Sequence, residues 1–172
     1  MYIPSLSVTS HGHVIVAKKP TTVIMYTADT KIVSQTKLSS DMEDVSHVIE
    51  TSTGTSILIS CTHKTATKDV HAGVCEVTYE GQIIRLFHVE PHRDFLFYRS
   101  LFSSLITTDA HSNVYVLDGD EDRVIVLDSR VNLRRVIQMT YSPHSLSYSR
   151  ETKQLVVGHY FPKSCISIMT IP

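Results

Sequence analysis

Residues 105–109 read Leu-Ile-Thr-Thr-Asp, residues 113–118 read Asn-Val-Tyr-Val-Leu-Asp, and residues 124–128 read Val-Ile-Val-Leu-Asp. Each run is short and rich in β-branched or large apolar residues, and polar residues separate it from the next run. Runs of this kind, joined by tight polar turns, predict antiparallel β-hairpins.

The same hairpin pattern occurs four times along the chain. Equivalent positions are held by Leu6, Ile49, Ile106 and Leu146, which are 43, 57 and 40 residues apart. A third β-run follows every hairpin, at 23–27, 74–78, 124–128 and 165–169. The first three repeats add a fourth run, at 32–38, 82–89 and 133–139.

Four antiparallel strands every 40-odd residues is the spacing of a β-propeller blade. We therefore predict an all-β fold, a single propeller region over 1–172, with four-stranded blades at about 4–40, 45–90, 102–140 and 143–172, the last of them incomplete.

Composition supports this fold class and limits the function. The chain has 19 valines, 15 isoleucines and 18 threonines but only five alanines, which is unfavourable for a helical bundle. Its net charge of −1 is not typical of a dedicated nucleic-acid binder. There is no signal-peptide pattern and no apolar run long enough to span a membrane. Three cysteines do not suggest a disulfide framework, so we expect a cytoplasmic protein.

Residues 105–128 also resemble an NHL repeat, through the three β-runs quoted above, with Asp118 at the end of the second run and Arg123 across the turn from it. This repeat occurs in the C-terminal propellers of tripartite-motif-like ubiquitin ligases and their relatives. The other three repeats keep the strand rhythm but lack the Asp and Arg pair. The resemblance implies a six-bladed propeller of roughly 260 residues. We therefore expect this chain to be part of a longer propeller, and the alternative is a closed ring of four blades.

The second repeat is longer than the others, and we expect its extra residues to enlarge one face. Its predicted loops at 61–73 and 90–103 leave the blade at the same end, because successive strands alternate in direction. Aromatic residues mixed with arginine are favoured at interfaces. The predicted binding residues on this face are Lys64, Lys68, Arg93, Phe95, Phe97, Tyr98 and Arg99. An equally weighted alternative is that 95–98 packs under the sheet as core.

Two groups of residues could hold a metal ion. Cys61, His63, His71 and Cys75 are possible tetrahedral zinc ligands, although their spacing is not that of a zinc finger and both cysteines fit buried strand positions. Residues 118–122 begin like a calcium loop, but Arg123 takes the position that needs glycine. We expect no bound metal or other cofactor, and we expect Asp118 and Arg123 to form a structural pair across the turn.

Catalytic motifs are lacking, since there is no nucleophile elbow, no phosphate-binding glycine loop and no zinc-protease helix motif. We expect a non-catalytic interaction module that binds a protein partner, as the C-terminal part of a tripartite-motif-like ubiquitin ligase. One alternative is RNA binding through the long-loop face. Another is a fragment of a six-bladed, metal-dependent hydrolase, for which Glu50 and Asp109 are the acidic candidates on inner strands. We expect neither membrane nor DNA as a partner.

Overall fold

The computed structural model describes residues 5–18, 21–40, 42–64, 70–89, 105–119, 121–161 and 164–171. These residues form strands joined by turns, with no helix among them. The strands of the first two repeats are β1 (Ser5–Val8), β2 (Val14–Lys18), β3 (Thr22–Tyr26), β4 (Ile32–Lys37), β5 (Met42–Glu50), β6 (Ile57–Lys64), β7 (Val70–Val77) and β8 (Ile83–His88). Those of the last two are β9 (Ile106–Thr108), β10 (Val114–Asp118), β11 (Arg123–Leu127), β12 (Leu133–Gln138), β13 (Ser142–Ser149), β14 (Gln154–Phe161) and β15 (Cys165–Thr170).

Each repeat forms one antiparallel sheet in which neighbours along the chain are neighbours in the sheet. The sheets are β1-β2-β3-β4, β5-β6-β7-β8, β9-β10-β11-β12 and β13-β14-β15. The predicted fold class is confirmed: the chain is all-β, and its sheets are the blades of a β-propeller. Among the described residues, the last blade has three strands where each of the others has four.

The chain divides into two compact units, Met1–Pro91 and His92–Pro172, each with two blades and a core of its own. In the first unit, alternate residues of each sheet contribute to one core between the two sheets. They include Ile15 and Ala17 of β2 and Ile57 and Ile59 of β6. In the second unit the core contains Tyr115, Val124, Val126, Leu155, Val157 and Ile171. Alternation along each strand places these residues on one side of their sheet.

The predicted long loop at 61–73 is wrong. Strands β6 and β7 continue pairing well past the ends that the sequence suggested, with Cys61 opposite Gly73 and Lys64 opposite Val70. The physical reason is that an antiparallel ladder extends as long as both backbones stay extended, and polar residues such as Thr62 tolerate an extended conformation. The connection between the two strands therefore shortens to residues 65–69, which lie outside the described residues.

Five of the hairpins share one turn geometry. The backbone amide of the residue that opens the turn donates a hydrogen bond to the backbone carbonyl of the residue four positions later. Its own carbonyl accepts a hydrogen bond from the amide of the residue three positions later. The opening residues are Thr9, Thr27, Thr78, Asp109 and Asp128. Its side-chain oxygen also accepts at least one amide of the turn, as Asx and Ser/Thr turns do. The fourth residue has a positive φ in every case: Gly12 (77°), Thr30 (67°), Gly81 (91°), Ser112 (66°) and Val131 (64°).

Replacing Thr30 by glycine should stabilise the chain. A β-branched residue is strained at φ 67°, and Thr30 is exposed, so its side chain contributes little packing. Relief of about 1–2 kcal/mol, reduced by the greater unfolded-state freedom of glycine, leaves a gain of roughly 0.5–1 kcal/mol in the free energy of unfolding, measurable by urea denaturation. The control is Glu80→Gly, at an exposed turn position with an ordinary φ, which should destabilise. A loss of stability in Thr30→Gly would contradict the expectation.

In the described part of the chain, no helix has the length and apolar character that crossing a membrane requires.

Candidate functional site

Most of the predicted binding face lies outside the described residues. This applies to Lys68, Arg93, Phe95, Phe97, Tyr98 and Arg99. Lys64 is the last residue of β6, where its backbone is paired with that of Val70. The binding role of these residues therefore stays a prediction.

Cys61 and Cys75 of the zinc hypothesis lie together in the core of the first unit. Their Sγ atoms are 3.4 Å apart, and both side chains are buried. The neighbouring Cys75 thiol, together with burial, raises the pKa of the Cys61 thiol well above its ordinary value. The backbones of His63 and His71 are register partners in the same ladder, two positions beyond the Cys61–Gly73 pair. Within the described residues, no three His, Cys, Asp or Glu side chains are grouped closely enough to hold a metal ion.

The two core thiols should be far less reactive than the third cysteine. Thiolate is the reacting form, and a raised pKa and burial both suppress it. With Ellman's reagent, we expect one fast thiol per native chain, contributed by the partly exposed Cys165, and the other two only after unfolding in guanidinium chloride. The variant Cys165→Ser should then show no fast thiol. Any fast thiol in that variant would show that the core pair is accessible.

Asp118 and Arg123 are the last directly paired residues before the turn between β10 and β11. Arg123 Nε donates a 2.8 Å hydrogen bond to Asp118 Oδ2. The carboxylate is buried and the guanidinium is about a quarter exposed. The pair thus lies across a hairpin at a position that favours a structural role.

Glu50, one acidic candidate of the hydrolase alternative, ends β5 in the first unit. Its carboxylate accepts the backbone amide of Ser10 at 2.6 Å and the hydroxyl of Tyr79 at 3.1 Å. Partial burial raises the pKa of Glu50, but these hydrogen bonds outweigh it, so the pKa is lowered overall. The carboxylate therefore links the turns of three hairpins.

Asp109, the other acidic candidate, is buried in the second unit and accepts four hydrogen bonds. The donors are the amides of His111 and Asn113, at 2.8 and 2.9 Å, the Asn113 side-chain amide at 2.7 Å, and the Tyr115 hydroxyl at 2.8 Å. Burial raises the pKa of Asp109, yet the hydrogen bonds lower it by more. The same burial and the neighbouring carboxylate raise the pKa of Tyr115. Asp109 is thus held as an anion within its own turn.

A cavity of about 310 Å³ opens beside this network in the second unit. We refer to it as the arginine pocket, and it is lined by Asn113, Tyr115, Val126, Arg134, Arg135 and Ile171. Asn113, Tyr115, Val126 and Ile171 are almost fully buried, whereas the two arginines are exposed. The pocket therefore has a buried wall that is largely apolar and a cationic rim.

A β-bulge explains how two consecutive arginines line one cavity. In a regular strand, neighbouring side chains point to opposite faces. Here Val126 pairs with Arg135 while Leu127 pairs with Leu133, so Arg134 is an extra residue on β12. A bulge turns the side chain of the extra residue from its regular direction. Arg134 Nη1 donates a 2.8 Å hydrogen bond to Asn113 Oδ1, which holds it at the rim.

The same bulge occurs in the other four-stranded blades, but the extra residue there is apolar. In the first blade the pairing of β3 with β4 shifts register between Met25 and Tyr26 of β3. In the second blade the pairing of β7 with β8 shifts between Glu76 and Val77 of β7. The extra residues there are Val33 and Ile84. Only in the third repeat, among the described residues, does the bulge carry an arginine followed by a second arginine.

Sequence reasoning did not identify Arg134 and Arg135. One signal was available, because Leu-Arg-Arg-Val at 133–136 stands where the first two repeats have Ile-Val-Ser-Gln at 32–35 and Ile-Ile-Arg-Leu at 83–86. The pair could have been noticed as a local excess of charge. Its convergence on one cavity could not, because that depends on the bulge.

Neither a protein-family model nor a curated protein matches the chain. Solved structures do match its fold. A protein of unknown function from Bacteroides caccae aligns over 98% of this chain and 60% of its own length, at 13% identity and a TM-score of 0.61. Hydrazine synthase from Kuenenia stuttgartiensis aligns over 96% and 58%, at 12% identity and a TM-score of 0.70. A functionally unknown protein from Desulfotomaculum acetoxidans aligns over 99% and 52%, at 13% identity and a TM-score of 0.65.

These similarities concern the fold alone, because the identities are very low. The chain spans between about half and three fifths of the length of the structures that it matches. Fold and site together define a β-propeller chain with a small cationic pocket in its second unit.

Proposed function

We propose that this chain is a non-catalytic interaction module that binds a protein partner through the arginine pocket. The observation that carries the proposal is the pocket itself: a concave site with buried apolar walls and arginine side chains at its rim. Buried aromatic and apolar surface ringed by arginine is the composition favoured at protein interfaces. Propellers supply such surfaces on a rigid framework, which supports the same function.

The NHL resemblance of the third repeat extends the proposal. Under it, the chain is the partner-binding part of a tripartite-motif-like ubiquitin ligase, whose ligase chemistry would lie in another segment. We also propose a cytoplasmic location, where the three free cysteines would stay reduced.

Peptide selection tests the protein-binding function. A random peptide library displayed on phage is selected against the immobilised chain, with a folded protein of similar size as the background control. We expect enriched peptides whose binding slows hydrogen–deuterium exchange in Leu133–Gln138 and at Ile171, since both segments contribute to the pocket. No enrichment above the control, or protection confined to the first unit, would refute the proposal.

A further inference from the structure

We infer that the arginine pocket binds a carboxylate carried by a peptide, an inference that rests on the proposed protein-binding function. The pocket has positive charge that is not neutralised at its rim. Arg134 bonds the neutral amide oxygen of Asn113, and within the described residues neither Arg134 nor Arg135 forms an ion pair with a carboxylate. An anionic ligand would therefore meet two guanidinium groups that are not already paired with a carboxylate of the described residues.

The charge balance favours a monoanion. The guanidinium groups of Arg134 and Arg135 face the cavity. One carboxylate, that of Asp109, lies behind Tyr115 and accepts a hydrogen bond from the Tyr115 hydroxyl. Two positive charges and one negative charge leave a single net positive charge near the ligand. A carboxylate matches that charge, whereas a phosphate near pH 7 carries about 1.5–2 negative charges, and the part of its charge left uncompensated would be costly to take out of water.

The shape of the groups points the same way. A guanidinium is a planar fork that matches the two oxygens of a carboxylate, and two arginines can hold one carboxylate from different directions. The remaining walls, Val126, Tyr115 and Ile171, offer apolar contact to the part of the ligand that bears the acid. At about 310 Å³ the cavity is at the lower end of the roughly 300–1,000 Å³ range of ligand pockets. It is therefore sized for one acidic side chain or one chain end rather than for a nucleotide chain.

Peptides of defined sequence test whether the pocket binds a carboxylate. The probes are acetyl-Leu-Glu-Leu-amide, its Gln counterpart, the Gln peptide with a free C-terminal carboxylate, and the phosphoserine counterpart of the first, with oligouridine as the RNA probe. Each is titrated into the ¹⁵N-labelled chain and followed by amide chemical shifts. We expect the side-chain acid, the chain-end acid, or both to bind at least tenfold more tightly than the neutral Gln amide, as the loss of charge-assisted hydrogen bonds implies. The two acidic peptides distinguish the two sources of the carboxylate.

Matched variants test the site. Arg134→Gln and Arg135→Gln should each weaken acidic-peptide binding about tenfold, and Arg134→Lys should lose less because it keeps the charge but not the fork. Arg150→Gln, which removes an exposed arginine outside the pocket in the same unit, should have no effect. Thermal unfolding of each variant confirms that it is folded.

Several outcomes would overturn the inference: equal binding of the Gln amide, tighter binding of the phosphoserine peptide or oligouridine, or binding that ignores Arg134 and Arg135. These outcomes are distinct from failure of the protein-binding function. If phage selection enriches peptides whose binding does not depend on an acid or on the two arginines, the protein-binding function stands and the carboxylate inference falls. If selection enriches nothing, the protein-binding function itself fails.

Discussion

Replacing Asp109 by alanine should lower the free energy of unfolding by about 3–4 kcal/mol. The change removes the carboxylate that accepts four hydrogen bonds. The buried Tyr115 hydroxyl and the Asn113 side-chain amide then lose their hydrogen-bond acceptor. An unsatisfied buried donor costs about 1–3 kcal/mol, so two such donors account for the expected loss. Urea denaturation measures it.

Asp128→Ala is the matched control for this prediction. Asp128 opens the same kind of turn and accepts the amides of Arg130 and Asn132, but it is only half-buried, so water can replace it. We expect a loss of about 1 kcal/mol, comparable to that of an ordinary hydrogen bond. Equal losses in the two variants would show that the buried network of Asp109 adds nothing to the turn.

Stability should also depend on pH through Asp109. Its pKa is lowered in the folded chain, so its charged form contributes stability that is complete above the ordinary aspartate pKa of about 3.9. That contribution is lost as the pH falls from there through the lowered pKa. The stability difference between wild type and Asp109→Asn should therefore be constant near neutral pH and should shrink below about pH 4. A difference that stays constant down to pH 2 would contradict this expectation.

Gly81→Ala should cost about 2–4 kcal/mol, for two reasons. Its φ is +91°, where an alanine is strained by about 1–2 kcal/mol. A Cβ would also lie 2.8 Å from Thr36 Cγ2 and 3.0 Å from the Lys37 carbonyl oxygen, so the backbone of β4 would have to shift, which typically costs about 1–3 kcal/mol. Urea denaturation again gives the loss.

Gly12→Ala separates these two causes. Gly12 holds the same place in its own turn at φ +77°, but nothing lies within 4 Å of its would-be Cβ. Only the strain of about 1–2 kcal/mol should remain. If Gly12→Ala proves as costly as Gly81→Ala, the close approach of the second blade's turn to β4 contributes nothing.

The hairpins were predictable because their signals are local. β-branched runs favour extended backbone, and polar residues at fixed places favour the turns. The five shared turns show this directly, since each opens with Thr or Asp, whose side-chain oxygen accepts turn amides. The length of the hairpin at β6 and β7 was mispredicted because pairing past Cys61 depends on the partner strand and not on local propensity.

The candidate site was predictable only in part. The sequence placed Asp118 and Arg123 on opposite sides of one turn, because they are five residues apart on a hairpin whose register is set by that turn. It drew attention to the histidines and cysteines of the second repeat because their residue types are distinctive. It gave no reason to connect Arg134 with Asn113, 21 residues away, whose side chains lie 2.8 Å apart.

The sequence by itself therefore determined the strand rhythm, the turn chemistry and the all-β propeller class, since each follows from the preferences of neighbouring residues repeated four times. The tertiary structure decided the arginine pocket. A bulge on β12 brings Arg134 and Arg135 to one cavity, and the packing of β10, β11 and Ile171 forms its wall. Convergence of this kind depends on which strands meet and in what register, and that is set by the free energy of the whole packed unit rather than by any short stretch of chain.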